Sequence, residues 1–151
     1  MGLHSVAVIR QALPREATAI AELGRDFLAH TGAHIPFDLS YAKHTVRTFI
    51  SDPTRLALVL EKDGAVVGAL LAATSPSPFS PVLFAQEVAW WVSPNARSLR
   101  SLQMIAQYEA WANSRGCRFV AMASLNDHRL DRFYRRRGFT PLETHYLKGL
   151  K

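Results

Sequence analysis

The sequence has little cysteine and no long apolar run. Cys117 is the only cysteine among 151 residues, which excludes an internal disulfide and removes any need for an oxidising compartment. The longest apolar stretches, such as 65–73 and 88–92, are far shorter than the roughly 20 residues that a membrane-spanning helix requires. Residues 1–10 show neither a basic leader nor a cleavable apolar segment. We therefore expect a cytoplasmic protein with no membrane partner.

Acidic residues are also scarce. The chain has 12 Asp and Glu against 18 Lys and Arg, which gives a net charge of +6 and an isoelectric point near 10.0. This balance favours anionic partners, such as nucleic acid, a membrane surface or a phosphate-rich cofactor, and composition alone does not choose among them. The hydrophobic share of 48% is that of a globular protein, and the length predicts one domain over 1–151.

The histidines and the cysteine do not form a recognisable reactive cluster. His30 and His34 are four residues apart, but Gly32 lies between them and no third ligand is evident. Zinc sites need three or four protein ligands, so no metal is expected. Cys117 has no neighbouring His or Asp pattern and is expected to pack as a small hydrophobic residue. Nucleophilic catalysis is therefore not supported.

Apolar periodicity and turn residues predict the order β-α-α-β-β-β-α-β-α-β. Predicted strands cover 5–10, 55–61, 65–73, 82–92, 119–124 and 145–150, and predicted helices cover 14–31, 39–50, 99–114 and 127–137. Asp63-Gly64 between two β-type runs is a hairpin signal, and the Pro/Ser-rich stretch 75–81 is expected to be a loop. This order predicts an α/β (α+β) fold, a mixed and mostly antiparallel sheet covered by helices on both faces.

The segment from Glu87 to Leu102 is the most informative part of the chain. A strand ends at Val92, and a turn containing Arg97 and Arg100 leads into a helix. Free backbone amides and the dipole at a helix N-terminus attract anions, whereas arginines there oppose the dipole unless an anion lies between them. The segment is therefore either a phosphate-binding turn or a solvated basic turn.

These residues resemble the coenzyme A-binding region of the GNAT superfamily of acyl-CoA N-acyltransferases. In that family a strand leads into Gln/Arg-x-x-Gly-x-Gly/Ala at the start of the next helix, and Arg97 matches the first position. The run Phe-Tyr-Arg-Arg-Arg-Gly-Phe at 133–139, after Asn126, resembles the Asn…Tyr-x-x-x-Gly-Phe signature. The opening Arg-x-Ala-x-x-x-Glu at 10–16 resembles the start of the family pattern. The strand 87–92 with its glycine-poor loop is similar to GNAT proteins of phage and bacteria.

The resemblance implies acetyl-CoA as the acyl donor. The residues that it assigns to donor binding are Trp90, Val92, Arg97, Ser98, Arg100, Ser101 and Asn126. Asn126 has the alternative role of capping the last helix. Arg100 and Leu102 replace the two loop glycines, which permit close approach of the backbone to a ligand. A GNAT-shaped binding module without catalytic activity is therefore the alternative hypothesis.

Two residues are candidates for proton transfer. The resemblance implies that Tyr134 protonates the departing thiolate, and its alternative role is to pack in the core beside Phe133. Glu87 is the only acidic residue between Asp63 and Glu109, so it is the candidate base for the attacking amine, or else a solvent-facing strand position. Regular alternation of side chains along the predicted strand would place Glu87 on the same face of the sheet as Trp91.

The partners are less well defined than the donor. An amine would attack directly in a ternary complex. The molecule that supplies this amine remains open, and the candidates are a peptide N-terminus, a lysine, a polyamine, an aminoglycoside and a small metabolite. The arginines of the last helix surround most of its circumference, so nucleic acid is not expected. Exposed aromatic residues among Trp90, Trp91 and Trp111 would suit a homodimer interface.

Overall fold

The computed structural model describes residues 6–151, and the sheet within them has five strands. The strands are β1 (Val8–Gln11), β2 (Arg55–Lys62), β3 (Ala65–Ser77), β4 (Ser80–Val92) and β5 (Phe119–Ala121). The helices are α1 (Ala17–Thr31), α2 (Leu39–Ser51), α3 (Leu99–Leu102), α4 (Met104–Ser114) and α5 (His128–Arg136), with 3₁₀ turns at Pro14–Glu16 and Pro94–Ala96. The predicted first strand included Ser5, which lies outside the described residues.

The strands lie in sequence order across the sheet. β1 to β4 are antiparallel neighbours, and β5 pairs in parallel with β4. The β2–β3 hairpin turns at Asp63 and Gly64, which both have positive φ angles of 53° and 77°. Two positive φ angles are what a tight two-residue hairpin requires, so the Asp-Gly prediction is confirmed.

Each face of the sheet carries its own apolar cluster. Alternate residues of β2 point to opposite sides: Leu58 and Leu60 pack with Met104 and Tyr108 beneath α4 and α5. Val59 packs instead with the apolar residues of α1 and α2. The two-fold side-chain period of a strand thus matches the helical coverage of both faces, and the predicted fold class is confirmed.

Three predicted element boundaries are wrong, the first because β5 ends at Ala121 and not at 124. The stretch 75–81 is not a loop, because β3 and β4 continue pairing as far as Ser77 and Ser80 and leave Phe79 at the hairpin tip. The helix predicted over 99–114 is divided at Gln103. The Gln103 amide donates to the carbonyls of Arg100 and Ser101, so the short α3 ends in a tight 3₁₀-type turn before α4 begins.

A β-bulge changes the side-chain alternation in β4. Leu71 pairs with Ala89 while its neighbour Ala72 pairs with Glu87, which leaves Val88 as the extra residue. Paired residues share a face, so Glu87 lies on the α4–α5 face with Trp90 and not with Trp91. The alternation expected from sequence was therefore wrong at this position.

The strand predicted at 145–150 does not form. A strand needs a hydrogen-bonding neighbour, and within residues 6–151 no segment pairs with the far edge of β5. Leu142, Tyr146, Leu147 and Leu150 are consequently exposed. The expectation of exposed tryptophans is also wrong, because Trp90, Trp91 and Trp111 are all half-buried against the two apolar clusters.

Candidate active site

A cleft opens where β5 stops and β4 continues. β5 pairs with β4 only from Phe84 to Gln86, whereas β4 runs on to Val92. A cavity of about 460 Å³ occupies the resulting cleft. Its walls come from α1, β4, the turn before α3, the segment after β5 and α5. The lining residues are Phe27, His30, Glu87, Val88, Trp90, Trp91, Val92, Arg97, Ser98, Ser101, Leu102, Ala123, Leu125, Asp127, Arg129, Leu130 and Phe133.

Backbone groups of β4 face this cleft. The amide of Ser93 donates to the Val67 carbonyl of β3 at 2.8 Å. Since successive residues of a strand direct their backbone groups to alternate neighbours, the groups of Trp90 and Val92 point away from β3, toward the cleft. The Val92 carbonyl accepts a hydrogen bond from Arg97 Nε at 2.8 Å, while no strand pairs with Trp90 on this side in the described part of the chain.

Arg97 is fixed over an aromatic surface. Its guanidinium carbon lies 4.7 Å from the centroid of the Trp91 ring, and the His30 ring lies 5.1 Å from the same centroid. The bond from Nε and the contact with Trp91 orient the guanidinium, and its two terminal nitrogens make no hydrogen bond to the described residues. A fixed cation at the cavity wall can bind a phosphate oxygen.

The start of α3 satisfies its own amides with serine side chains. Ser98 Oγ accepts from the Arg100 amide at 3.2 Å, and Ser101 Oγ accepts from the Ser98 amide at 3.0 Å. This reciprocal capping replaces the open nest of amides that a glycine-rich turn would offer. Ser98 and Ser101 nevertheless line the cavity.

Arg100 does not face the cavity. Its Nε donates to the Ala7 carbonyl at 3.0 Å and its Nη1 to Gln103 Oε1 at 2.6 Å. The side chain therefore joins α3 to the residue before β1. Of the two arginines that the sequence placed at the phosphate site, only Arg97 lines the cleft.

Glu87 is a buried carboxyl group on the cavity wall. Only 7% of the residue is exposed. Burial raises its pKa from 4.5 to about 7, and neither a hydrogen bond nor a neighbouring charge contributes to the shift. A carboxyl group that titrates near neutral pH can both accept and release a proton under ordinary conditions. The bulge at Val88 directs this side chain to the α4–α5 face.

Tyr134 lies behind the cavity wall together with Tyr108. The Tyr134 hydroxyl donates to the Ala123 carbonyl at 3.2 Å, and the Tyr108 hydroxyl donates to the Ala121 carbonyl at 2.8 Å. Burial, followed by the charge of Glu87, raises the pKa of Tyr134, so its phenol stays protonated. Tyr134 itself does not line the cavity, although its neighbour Phe133 does.

Asn126 does not face the cavity and does not cap α5. It adopts a left-handed conformation with φ of 58°. The capping residue is Asp127, whose Oδ1 accepts from the amides of Arg129 and Leu130. The alternative role proposed for Asn126 therefore belongs to its neighbour.

Several residues of the cavity were not predicted from the sequence. Phe27 and His30 are three residues apart on α1, so they lie on one face of that helix, and this spacing was the available signal. Arg129 was considered only within the basic cluster of the last helix, yet it lines the cleft. No cluster of three or more His, Cys, Asp or Glu that could hold a metal ion occurs within residues 6–151.

A family model described as the acetyltransferase (GNAT) family matches residues 18–139. The chain belongs to the GNAT acetyltransferase family. It is thus an N-acyltransferase, and GNAT enzymes use acetyl-CoA as the acyl donor. The family assignment does not favour the alternative of an inactive binding module.

Solved structures share this GNAT fold over almost the whole chain. A predicted acetyltransferase with acetyl-CoA from Clostridium acetobutylicum has a TM-score of 0.77 at 11% identity, covering 95% of this chain and 96% of its own. Glucosamine-6-phosphate N-acetyltransferase from Arabidopsis thaliana has a TM-score of 0.74 at 12% identity, covering 97% and 99%. An aminoglycoside acetyltransferase from an uncultured soil metagenomic sample, in complex with sisomicin, has a TM-score of 0.69 at 18% identity, covering 96% and 97%.

The comparison with curated protein sequences gives no match. In the described part of this GNAT chain, no helix combines the length and apolar character needed to span a membrane.

Proposed function

We propose that this GNAT chain transfers an acetyl group from acetyl-CoA to a primary amine by direct attack in a ternary complex. The observation that supports this most strongly is the position of Glu87. A buried carboxyl group with a pKa of about 7 lines a cleft formed where two neighbouring strands separate. Perturbed carboxyl groups in clefts are typical of sites of proton transfer.

The residues of the cleft fit the chemical parts of an acyl-CoA. The unpaired backbone of Trp90 suits the amide-containing arm of the donor, because both partners offer peptide-like hydrogen-bonding groups. Arg97 and Arg129 supply positive charge for its phosphates. Ser98 and Ser101 line the same wall, where their side chains cap backbone amides of the turn. When bound, the donor supplies the activated acetyl thioester.

Glu87 is the proposed base. An amine reaches the enzyme mostly as an ammonium ion, and it must lose a proton before it can attack a carbonyl carbon. The carboxylate of Glu87 accepts that proton, and its raised pKa matches the task near neutral pH. Below about pH 7 the group is protonated and cannot act as a base.

Tyr134 is the proposed acid. Its phenol remains protonated because burial raises its pKa. The hydroxyl hydrogen is directed at the Ala123 carbonyl, and Ala123 itself lines the cleft. Tyr134 itself lies behind the cavity wall, so it can protonate the leaving sulfur only where the donor reaches past Ala123 and the hydroxyl hydrogen turns away from the Ala123 carbonyl.

Release of coenzyme A thiol in the presence of an amine acceptor tests the proposed function. Glu87→Gln should lower kcat by about 100-fold, within the range for loss of a general base. Asp131→Asn is the matched control, since Asp131 is an exposed carboxylate paired with Arg135 on α5. Equal rates in wild type and Glu87→Gln would show that Glu87 is not the base.

A further inference from the structure

One wall of the cleft is the segment that follows β5. The strand β5 pairs with β4 as far as Ala121. Residues beyond it, of which Ala123 and Leu125 line the cavity, pair with no strand in the described part of the chain. We call residues 121–125 the diverging segment. The width of the cleft depends on where the diverging segment lies relative to β4.

Two buried phenols hold the diverging segment by its backbone. The Tyr108 hydroxyl of α4 donates to the Ala121 carbonyl at 2.8 Å. The Tyr134 hydroxyl of α5 donates to the Ala123 carbonyl at 3.2 Å. Side chains of two helices therefore bind the backbone of this segment at the place where its pairing with β4 ends.

Tyr108 is the permanent support of the two. Its side chain is 0% exposed and belongs to the apolar cluster that also contains Met104. Burial raises the pKa of Tyr108, so its hydroxyl keeps its proton, and the Ala121 carbonyl is the acceptor that this buried donor needs. Tyr134 is the proposed acid, so its hydroxyl must leave the Ala123 carbonyl during the reaction. At that moment Tyr108 alone holds the diverging segment.

The helix α4 gives this bond a fixed base. Gln107 Nε2 donates to the Ile9 carbonyl of β1 at 3.3 Å, and Glu109 pairs with Arg137 at the end of α5. Tyr108 lies between these two anchored residues in the helix. The bond from Tyr108 therefore fixes the diverging segment relative to the core of the sheet, with or without a ligand in the cleft.

We infer that Tyr108 is a positioning residue for acetyl-CoA, and that its bond to the Ala121 carbonyl keeps the diverging segment apart from β4 before the donor binds. This inference rests on the proposed function, because it concerns the donor site of the same transferase. Tyr108 does not line the cavity, so it acts only through the diverging segment. A wall that is in place for only a fraction of the time reduces the apparent affinity for the donor by that fraction.

Calorimetric titration of Tyr108→Phe with acetyl-CoA tests the positioning role. The substitution removes the hydroxyl and keeps the ring in the core. The Kd for acetyl-CoA should rise about tenfold, as expected if the diverging segment then holds its donor-ready position in about one molecule in ten. Tyr134→Phe should leave this Kd unchanged, because Tyr108 still supports the segment.

A control variant and a spectroscopic measurement separate positioning from a general loss of stability. Ile105→Val is the matched control, because Ile105 lies in the same helix and the same apolar cluster and is also 0% exposed. It destabilises the core without touching the hydrogen bond, so the Kd for acetyl-CoA should not change. Amide resonances of the diverging segment should be exchange-broadened in Tyr108→Phe, sharp in Ile105→Val and the wild type, and sharpened in Tyr108→Phe by acetyl-CoA.

Each other outcome has a defined meaning. An unchanged Kd or sharp resonances in Tyr108→Phe, or an equal rise of Kd in Ile105→Val, would overturn the positioning role and leave the transferase intact. If urea unfolding shows that Tyr108→Phe does not fold, Ala123→Gly decides. A glycine there loosens the exposed part of the diverging segment and should raise the Kd about threefold, and an unchanged Kd would overturn the inference. Absence of acetyl-CoA binding by the wild type would instead refute the proposed function, and the inference with it.

Discussion

Replacement of Glu87 by Gln should change how the stability of the protein depends on pH. The carboxyl group has a pKa of about 7 in the folded protein and an ordinary value of 4.5, which we take for the unfolded chain. Between these values the folded state binds more protons than the unfolded state, so the free energy of unfolding falls as the pH rises. The stabilising contribution is complete below pH 4.5 and is lost as the pH rises through about 7. The difference between the two pKa values of Glu87 corresponds to a change of about 3 kcal/mol in the free energy of unfolding.

Urea unfolding between pH 4.5 and pH 8, followed by tryptophan fluorescence, measures this effect. The wild type should lose about 3 kcal/mol more than Glu87→Gln over that range, because Gln carries no titrating proton. The lowered pKa of Glu16 affects stability below pH 4.5 in both proteins, so it cancels in the comparison. Parallel curves for the two proteins would refute a buried carboxyl group at this position and remove the main support for its role as base.

Four further substitutions test the cleft and the sheet. Arg97→Ala should weaken acetyl-CoA binding about tenfold, measured by calorimetry, because a charge-assisted contact is lost. Arg100→Ala should leave that affinity unchanged, because the Arg100 guanidinium of the wild type is hydrogen-bonded to the Ala7 carbonyl and to Gln103. Equal effects of the two would place the phosphates elsewhere. Tyr134→Phe should retain donor affinity while lowering turnover, and an unchanged turnover would exclude Tyr134 as the acid. Gly68→Ala should lower the free energy of unfolding by about 1–3 kcal/mol, since the added carbon would lie 2.9 Å from a methyl of Val92; unchanged thermal or urea unfolding would contradict this packing.

Local patterns were sufficient to predict most of the fold. The Asp63-Gly64 turn and the helical spacing of α1 and α5 each depend on neighbouring residues, and the structure contains both. The β-bulge at Val88 depends on the register of β4 against β3, which alternation within one strand does not reveal. The strand predicted at 145–150 likewise depends on a pairing partner, and none is present among the described residues.

The candidate site was predictable where a residue type and a family pattern coincided. Glu87, Arg97, Ser98 and Ser101 all line the cleft. Arg100 was assigned to donor binding because its charge and position suited an anion, but its hydrogen bond to Ala7 crosses 93 positions in the chain. The contribution of Phe27 and His30 to the cavity was missed, because both look like ordinary residues of an amphipathic helix until α1 packs beside Trp91. Contacts between segments that are distant in the sequence determine both the position of the Arg100 side chain and the contribution of α1 to the cavity.

The most direct test of the account is a calorimetric titration with acetyl-CoA, with desulfo-CoA as a ligand control. Wild type and Ala65→Trp should bind acetyl-CoA with equal micromolar affinity, because Ala65 lies at the exposed end of β3 away from the cleft. Ala123→Trp should abolish binding, because the new side chain would fill the space between β4 and the segment after β5. Absence of wild-type binding at millimolar ligand, or equal binding by Ala123→Trp, would contradict a donor site in this cleft.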